Sequence, residues 1–218
     1  LSTSPGETPI ASAPHVQGHA NMWRTVDDFW DNWPMLKDHF DVFERWNKYR
    51  APGAWPDGDM LPLGKIGIRA ERGNPRMTAF TKDEQYTLMT LWTIFRSPLM
   101  FGGDLPSNDA FTLSLLNNKE VLNILNNSTN NKQLFRDENG ICWVADDPKT
   151  GDKYVALFNP GDGNEAVNIS VNLKDLGFTG ACKVRDLWSK SNKGTAKGTY
   201  SVAINKHGAG LFRISAIK

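Results

Sequence analysis

The sequence predicts an α/β segment followed by an all-β segment, and three features of the pattern say so. Up to about residue 126, helix-period apolar stretches alternate with short apolar runs, which argues for parallel β/α architecture. Beyond it, short alternating runs are broken by Gly, Asp and Asn, as expected of an antiparallel β-sandwich. The polar tract Asn126-Asn127-Ser128-Thr129-Asn130-Asn131 lies between them and marks the expected domain boundary.

Each element has its own signal. Met35 to Tyr49 reads as an amphipathic helix, with Leu36, Phe40, Phe43 and Trp46 spaced by three and four. A second helix opens at Thr81-Lys82-Asp83-Glu84, a capping-box pattern, and runs to about Arg96. A third is expected over Asn108 to Leu125, carrying Leu113, Leu115, Leu116, Val121 and Leu125. Asn21–Arg24, Asp59–Leu61 and Pro98–Phe101 are the short apolar runs between helices and read as strands. In the second segment six strands are expected: Ile141–Ala145, Tyr154–Phe158, Ala166–Val171, Cys182–Trp188, Thr199–Ile204 and Ala209–Ile214.

Composition narrows the function. The 25 basic and 24 acidic side chains leave a net charge of +1, so there is no basic excess to hold nucleic acid, and a neutral partner is expected. No apolar stretch approaches the roughly 18 residues of a membrane span, and Leu1-Ser2-Thr3-Ser4-Pro5-Gly6 has no signal-peptide character. Cys142 and Cys182 could pair, although their strand-like surroundings favour buried thiols. Five of the eight tryptophans precede residue 56, and indole faces mixed with Asp and Arg tilt the reading toward a ligand cleft.

Two segments carry the chemistry. Trp23-Arg24-Thr25-Val26-Asp27-Asp28-Phe29-Trp30-Asp31-Asn32-Trp33 packs three carboxylates and a guanidinium between indoles. An extended backbone would put Arg24 and Asp28 on one face. A carboxyl walled by Trp rings could be kept protonated as a donor, while a neighbouring Arg acts in the opposite sense. Charging the following helix is an equally good account of Asp28, and for Asp31 a first-turn role is the favoured one. The D-x-D-x-D-G spacing of a calcium loop is absent. In Trp55-Pro56-Asp57-Gly58-Asp59-Met60-Leu61 a carboxylate could accept bonds from substrate hydroxyls or simply cap a turn.

Taken in order with Asp83-Glu84-Gln85, Leu91-Trp92 and Ser97-Pro98-Leu99, these blocks resemble the melibiases, the α-galactosidases and α-N-acetylgalactosaminidases of glycoside hydrolase family 27. The resemblance implies the second half of a (β/α)8 TIM barrel over residues 1–127 and an antiparallel β-sandwich domain over 132–218. It implies a retaining α-galactosidase-like hydrolase, with an α-N-acetylgalactosaminidase, a β-L-arabinopyranosidase or a non-catalytic carbohydrate-binding protein as alternatives. By the same match Asp28 corresponds to the acid/base, Arg24 to the arginine holding a substrate hydroxyl, and Asp59 and Met60 to residues closing the sugar pocket. Ser4 falls where the substituent at the sugar's second carbon is read. The resemblance implies a galactoside or oligosaccharide substrate, no cofactor or metal, no nucleic acid or membrane partner, and a secreted or periplasmic setting. The family's nucleophile, an Asp after Lys-x on the fourth strand, has no counterpart in these residues, so the N-terminal half of the same protein is the expected partner and the chain alone is expected to be inactive.

Overall fold

In the computed structural model, which describes residues 1–217, the chain divides into two compact units, 1–81 with 95–117 and 82–94 with 118–218. In the first unit β1 (Ser2–Thr3), β2 (Met22–Arg24) and β3 (Trp55–Asp57) form a parallel sheet in that order. The register pairs Thr3 with Trp23 and Arg24 with Asp57. Two helices make the crossovers, α1 (Ala13–His19) and α2 (Trp33–Asn47). Asn32 starts α2 by accepting from Met35 N, with Pro34 in the first turn. The face of α2 toward the sheet buries Leu36, His39, Phe40, Phe43 and Trp46.

A small antiparallel hairpin follows, β4 (Lys65–Ile66) and β5 (Arg76–Met77). The strand expected at Asp59–Leu61 is not formed as such. The strand ends at Asp57, and Leu61 makes a single parallel bridge to Phe101, the one paired residue of the expected run Pro98–Phe101. Close approach there depends on glycine, because a Cβ on Gly103 would lie 2.1 Å from the Leu63 carbonyl oxygen.

Helix α3 (Lys82–Phe95) contributes residues 82–94 to the second unit. The expected third helix is two, α4 (Ala110–Leu116) and α5 (Lys119–Asn127). Asn118 breaks the run, since its side-chain oxygen caps the Glu120 and Val121 amides while its Nδ2 donates to Leu187 O. In the second unit α3 is held by polar bonds: Thr87 Oγ1 donates to His207 O, Trp188 Nε1 to Thr90 Oγ1, and Asn131 Nδ2 to Ile94 O.

The remaining strands are β6 (Thr129–Asp137), β7 (Gly140–Asp146), β8 (Lys153–Phe158), β9 (Val167–Asn172), β10 (Cys182–Asp186), β11 (Ser191–Ala196), β12 (Thr199–Ile204) and β13 (Ala209–Ala216). They form a six-stranded antiparallel sheet, β11-β10-β13-β8-β7-β6, and a two-stranded sheet, β12-β9. Val144, Val155, Leu157 and Ile214 of the first meet Ile169, Val171 and Ile204 of the second in one core. Cys142 and Cys182 lie in that core as free thiols. The two strands absent from the pattern reading, β6 and β11, are the edges of the large sheet. Part of the tract read as the domain boundary is thus the start of β6.

Asn118→Ala removes a helix cap and the donor to a buried carbonyl together. Denaturant titration is expected to show a loss of about 1–3 kcal/mol; an unchanged midpoint would refute this account of the helix break.

Candidate active site

The candidate side chains gather beyond the C-terminal ends of β1, β2 and β3, where parallel α/β sheets place ligands. Arg24, the last residue of β2, is the hub. Its side chain is only 9% exposed, and its NH2 group lies 3.0 Å from Asp59 Oδ2 and 3.4 Å from Asp28 Oδ1. Its NH1 group donates to Ser4 Oγ at 3.4 Å. Arg24 and Asp28 therefore share a face, and Ser4, Asp28 and Asp59 are brought to one guanidinium. Arg24 Nε is buried without a hydrogen-bond partner among the described residues.

Asp28 is not walled in by indoles, because its side chain is 69% exposed. Of the five early tryptophans, Trp23 and Trp46 belong to the core, with ring centroids 5.9 Å apart. Arg96 covers the ring of Trp55. Trp30 is linked to the carboxylate through Arg72, which lies over its ring and has NH2 3.8 Å from Asp28 Oδ2.

The loop after β3 is built to hold Asp59. Asp59 has φ 76°, a left-handed conformation that side chains rarely adopt. Its amide donates to Asp57 Oδ1 at 3.0 Å and its Oδ2 accepts from Phe29 N at 2.7 Å. Gly58 between them is fixed on both sides: its amide donates to the buried Ser97 Oγ, and its carbonyl oxygen lies 3.0 Å from His39 Nε2. Burial pushes the His39 imidazole below its ordinary value. Met60 packs so closely on the segment after Phe101 that a Cβ on Gly102 would meet its Sδ at 2.5 Å.

The other carboxylates divide by environment. Burial pushes Asp57 up to about 6, with Asp59 adding to the rise and the Asp59 amide and Arg24 opposing it. Burial works the same way on Asp31, but the guanidinium of Arg76 and the Ala79 amide outweigh it and hold the carboxyl low. Asp31 does not charge the first turn of α2 as expected. It is chelated by Arg76 through both terminal nitrogens and also accepts from Ala79 N, so it anchors the β4–β5 hairpin. Asp27 accepts from Glu7 N, and the loop comes close enough that a Cβ on Gly6 (φ 97°) would lie 2.7 Å from that carboxylate. Pattern reading passed over Asp57, His39, Arg72 and Arg76. A Pro-Asp-Gly-Asp turn was the only available hint for the first, and nothing local marked the others.

A buried guanidinium shared by carboxylates and a hydroxyl, at the strand ends of a parallel sheet, suits a polyhydroxylated ligand. Residues 7–127 match the family model described as alpha galactosidase A, and residues 137–214 match that of the alpha galactosidase C-terminal beta sandwich domain. The chain belongs to the melibiase family, glycoside hydrolase family 27. It is similar to a solved GH27 β-L-arabinopyranosidase from Geobacillus stearothermophilus, with 47% identity, a TM-score of 0.94, and coverage of 99% of this chain and 49% of that one. Alpha-galactosidase 2 of Arabidopsis thaliana is 29% identical over 91% of this chain and 47% of its own length. An alpha-galactosidase of Oryza sativa is 27% identical over 88% and 43% respectively. The chain thus spans about half the length of the curated relatives it matches.

Asp57 gives a pH signature. Its folded-state value of about 6 lies above the ordinary 3.8, so its stabilising contribution is complete below about 4 and is lost as pH rises to about 6. The stability advantage of wild type over Asp57→Asn is expected to shrink by on the order of 2–3 kcal/mol across that window. Parallel denaturation at pH 4 and 7 checks this, and a difference that holds constant would contradict it.

Proposed function

We propose that the protein is a retaining glycoside hydrolase acting on a terminal sugar of galacto configuration, with Asp28 as its acid/base. The observation that carries this reading is the 3.4 Å approach of Asp28 to Arg24 on one face at the strand ends, with Asp59 on the same guanidinium. Residues 1–127 act in this reading as the second half of a (β/α)8 barrel, with 132–218 as its β-sandwich domain. The attacking carboxylate comes from the other half of the barrel, outside these residues.

The chemistry then follows from position. Arg24 and Asp59 bind ring hydroxyls as donor and acceptor, Met60 closes the pocket, and Ser4 lies toward the second carbon of the sugar. Asp28 gives its proton to the glycosidic oxygen as the nucleophile attacks the anomeric carbon and the bond to the leaving group breaks. It then takes a proton from the water that hydrolyses the glycosyl–enzyme. Such a pair needs its carboxyls about 5–5.5 Å apart. The exposure of Asp28 fits this duty, since leaving group and water must both reach it.

Within the galacto series, β-L-arabinopyranose is the ring of α-D-galactopyranose without its hydroxymethyl group. The 47% identity to a β-L-arabinopyranosidase supports β-L-arabinopyranosides as substrates beside α-galactosides. Parallel assays on the nitrophenyl glycosides of both sugars, and of α-N-acetylgalactosamine, separate these specificities.

In the full-length protein, Asp28→Asn is expected to lower kcat/KM on an alkyl glycoside by about 10²–10⁴. Glycosylation by a substrate whose leaving group needs no proton should survive. Undiminished turnover of the alkyl glycoside would remove Asp28 from the mechanism, and tight binding without turnover in the wild type would leave a carbohydrate-binding protein.

A further inference from the structure

The β4–β5 hairpin sets a second cation against Asp28. Arg24, buried at the strand end, faces Oδ1, whereas Arg72, exposed on the outer side, has its NH2 group 3.8 Å from Oδ2. The two guanidinium groups bracket one carboxylate. An acid/base touches the glycosidic oxygen, so if Arg24 marks the side of the terminal sugar, Arg72 marks the side of the leaving group.

Three further observations give that outer side a character. Arg72 lies over the half-buried ring of Trp30, its Cζ 5.9 Å from the centroid, so a flat apolar face and a cation are offered together. The hairpin concentrates charge in an otherwise balanced chain, with Lys65, Arg69, Arg72 and Arg76 in residues 65–76 against the one acid Glu71. It is also fixed: Asp31 holds Arg76 and the Ala79 amide, and Thr78 N donates to Gly64 O at 2.8 Å across its base. Arg76 is thereby occupied. Apart from the Trp30 ring, Arg72 has among the described residues a long ion pair with Asp28 between side chains 60% and 69% exposed, a weak contact. It remains available to a ligand.

We propose that Arg72 and Trp30 form the leaving-group site, and that it takes an anionic sugar: a glycan whose residue next to the cleaved one carries a carboxylate, as a uronic acid does. The ring of that residue lies against Trp30 and its carboxylate meets Arg72. This rests on the reading of Asp28 as the proton donor, and adds to it the class of substrate.

The test uses the full-length protein and two aryl glycosides of the same terminal sugar that differ only in a 4-carboxylate or a 4-carboxamide on the ring. Wild type is expected to favour the carboxylate about fivefold in kcat/KM, with the preference falling at high salt. In Arg72→Gln the ratio of the two should approach one, and Arg72→Lys should restore part of it. An equal rate on both substrates in wild type, or a preference that survives Arg72→Gln, overturns the proposal while turnover itself upholds the hydrolase reading. If neither glycoside is turned over, that reading fails, and equilibrium binding of the same pair to wild type and Arg72→Gln decides the charge preference by the same ratio.

Discussion

One buried cation organises the first unit. Arg24 ends the middle strand of a parallel sheet, and a guanidinium taken out of water must find acceptors or raise the free energy of the fold. It finds them on both flanking connections, Ser4 after β1 and Asp59 after β3, and at Asp28 four residues along its own chain. Those groups converge because the charge requires them. The same requirement explains why Asp59 tolerates a left-handed backbone, since releasing it would strip both Arg24 and the Phe29 amide of an acceptor.

Support for that arrangement comes from behind. Ser97, just after α3, and His39 on α2 fix the amide and the carbonyl of Gly58. Asp57 takes the Asp59 amide and, through its own carbonyl, the amide and hydroxyl of Thr25. Two carboxylates, one ending β3 and one following β2, end up with opposite tendencies: Asp57, desolvated beside another acid, is driven toward the neutral form, while Asp31, chelated by Arg76, is held ionised. Residue type alone does not separate them; neighbours do.

This explains what could be read from the chain in advance. Arg24, Asp28, Asp59 and Met60 stood out because they lie in two short contiguous segments that match the family's motif blocks; the spacing of the second segment alone says little. The other six strands of the β-domain were visible because each is an apolar or alternating run: β9 alternates with one buried face, while β7 and β8 are buried almost throughout. Strands β6 and β11 were not, because β6 opens in the polar tract and β11, Ser191-Asn192-Lys193-Gly194-Thr195-Ala196, carries polar and small residues throughout. The split of the third expected helix turned on Asn118 finding Leu187 far along the chain. Asp31 was misread for the same reason, since its partner Arg76 lies forty-five residues away. Local pattern shows which face is apolar; it does not show which distant donor reaches a buried acceptor.

The bonds that hold α3 bear on how this protein can be recombined with its relatives. A chimera joined in the polar tract before residue 132 would separate Thr87, Thr90 and Ile94 from His207, Trp188 and Asn131, the groups that answer them. Inherited blocks in such a molecule are defined by matched donors and acceptors, so residues 82–94 travel with the sandwich even though an intervening stretch of sequence does not. A graft that respects this discontinuity keeps its buried hydroxyls and carbonyls paired; one cut within the polar tract must re-evolve them.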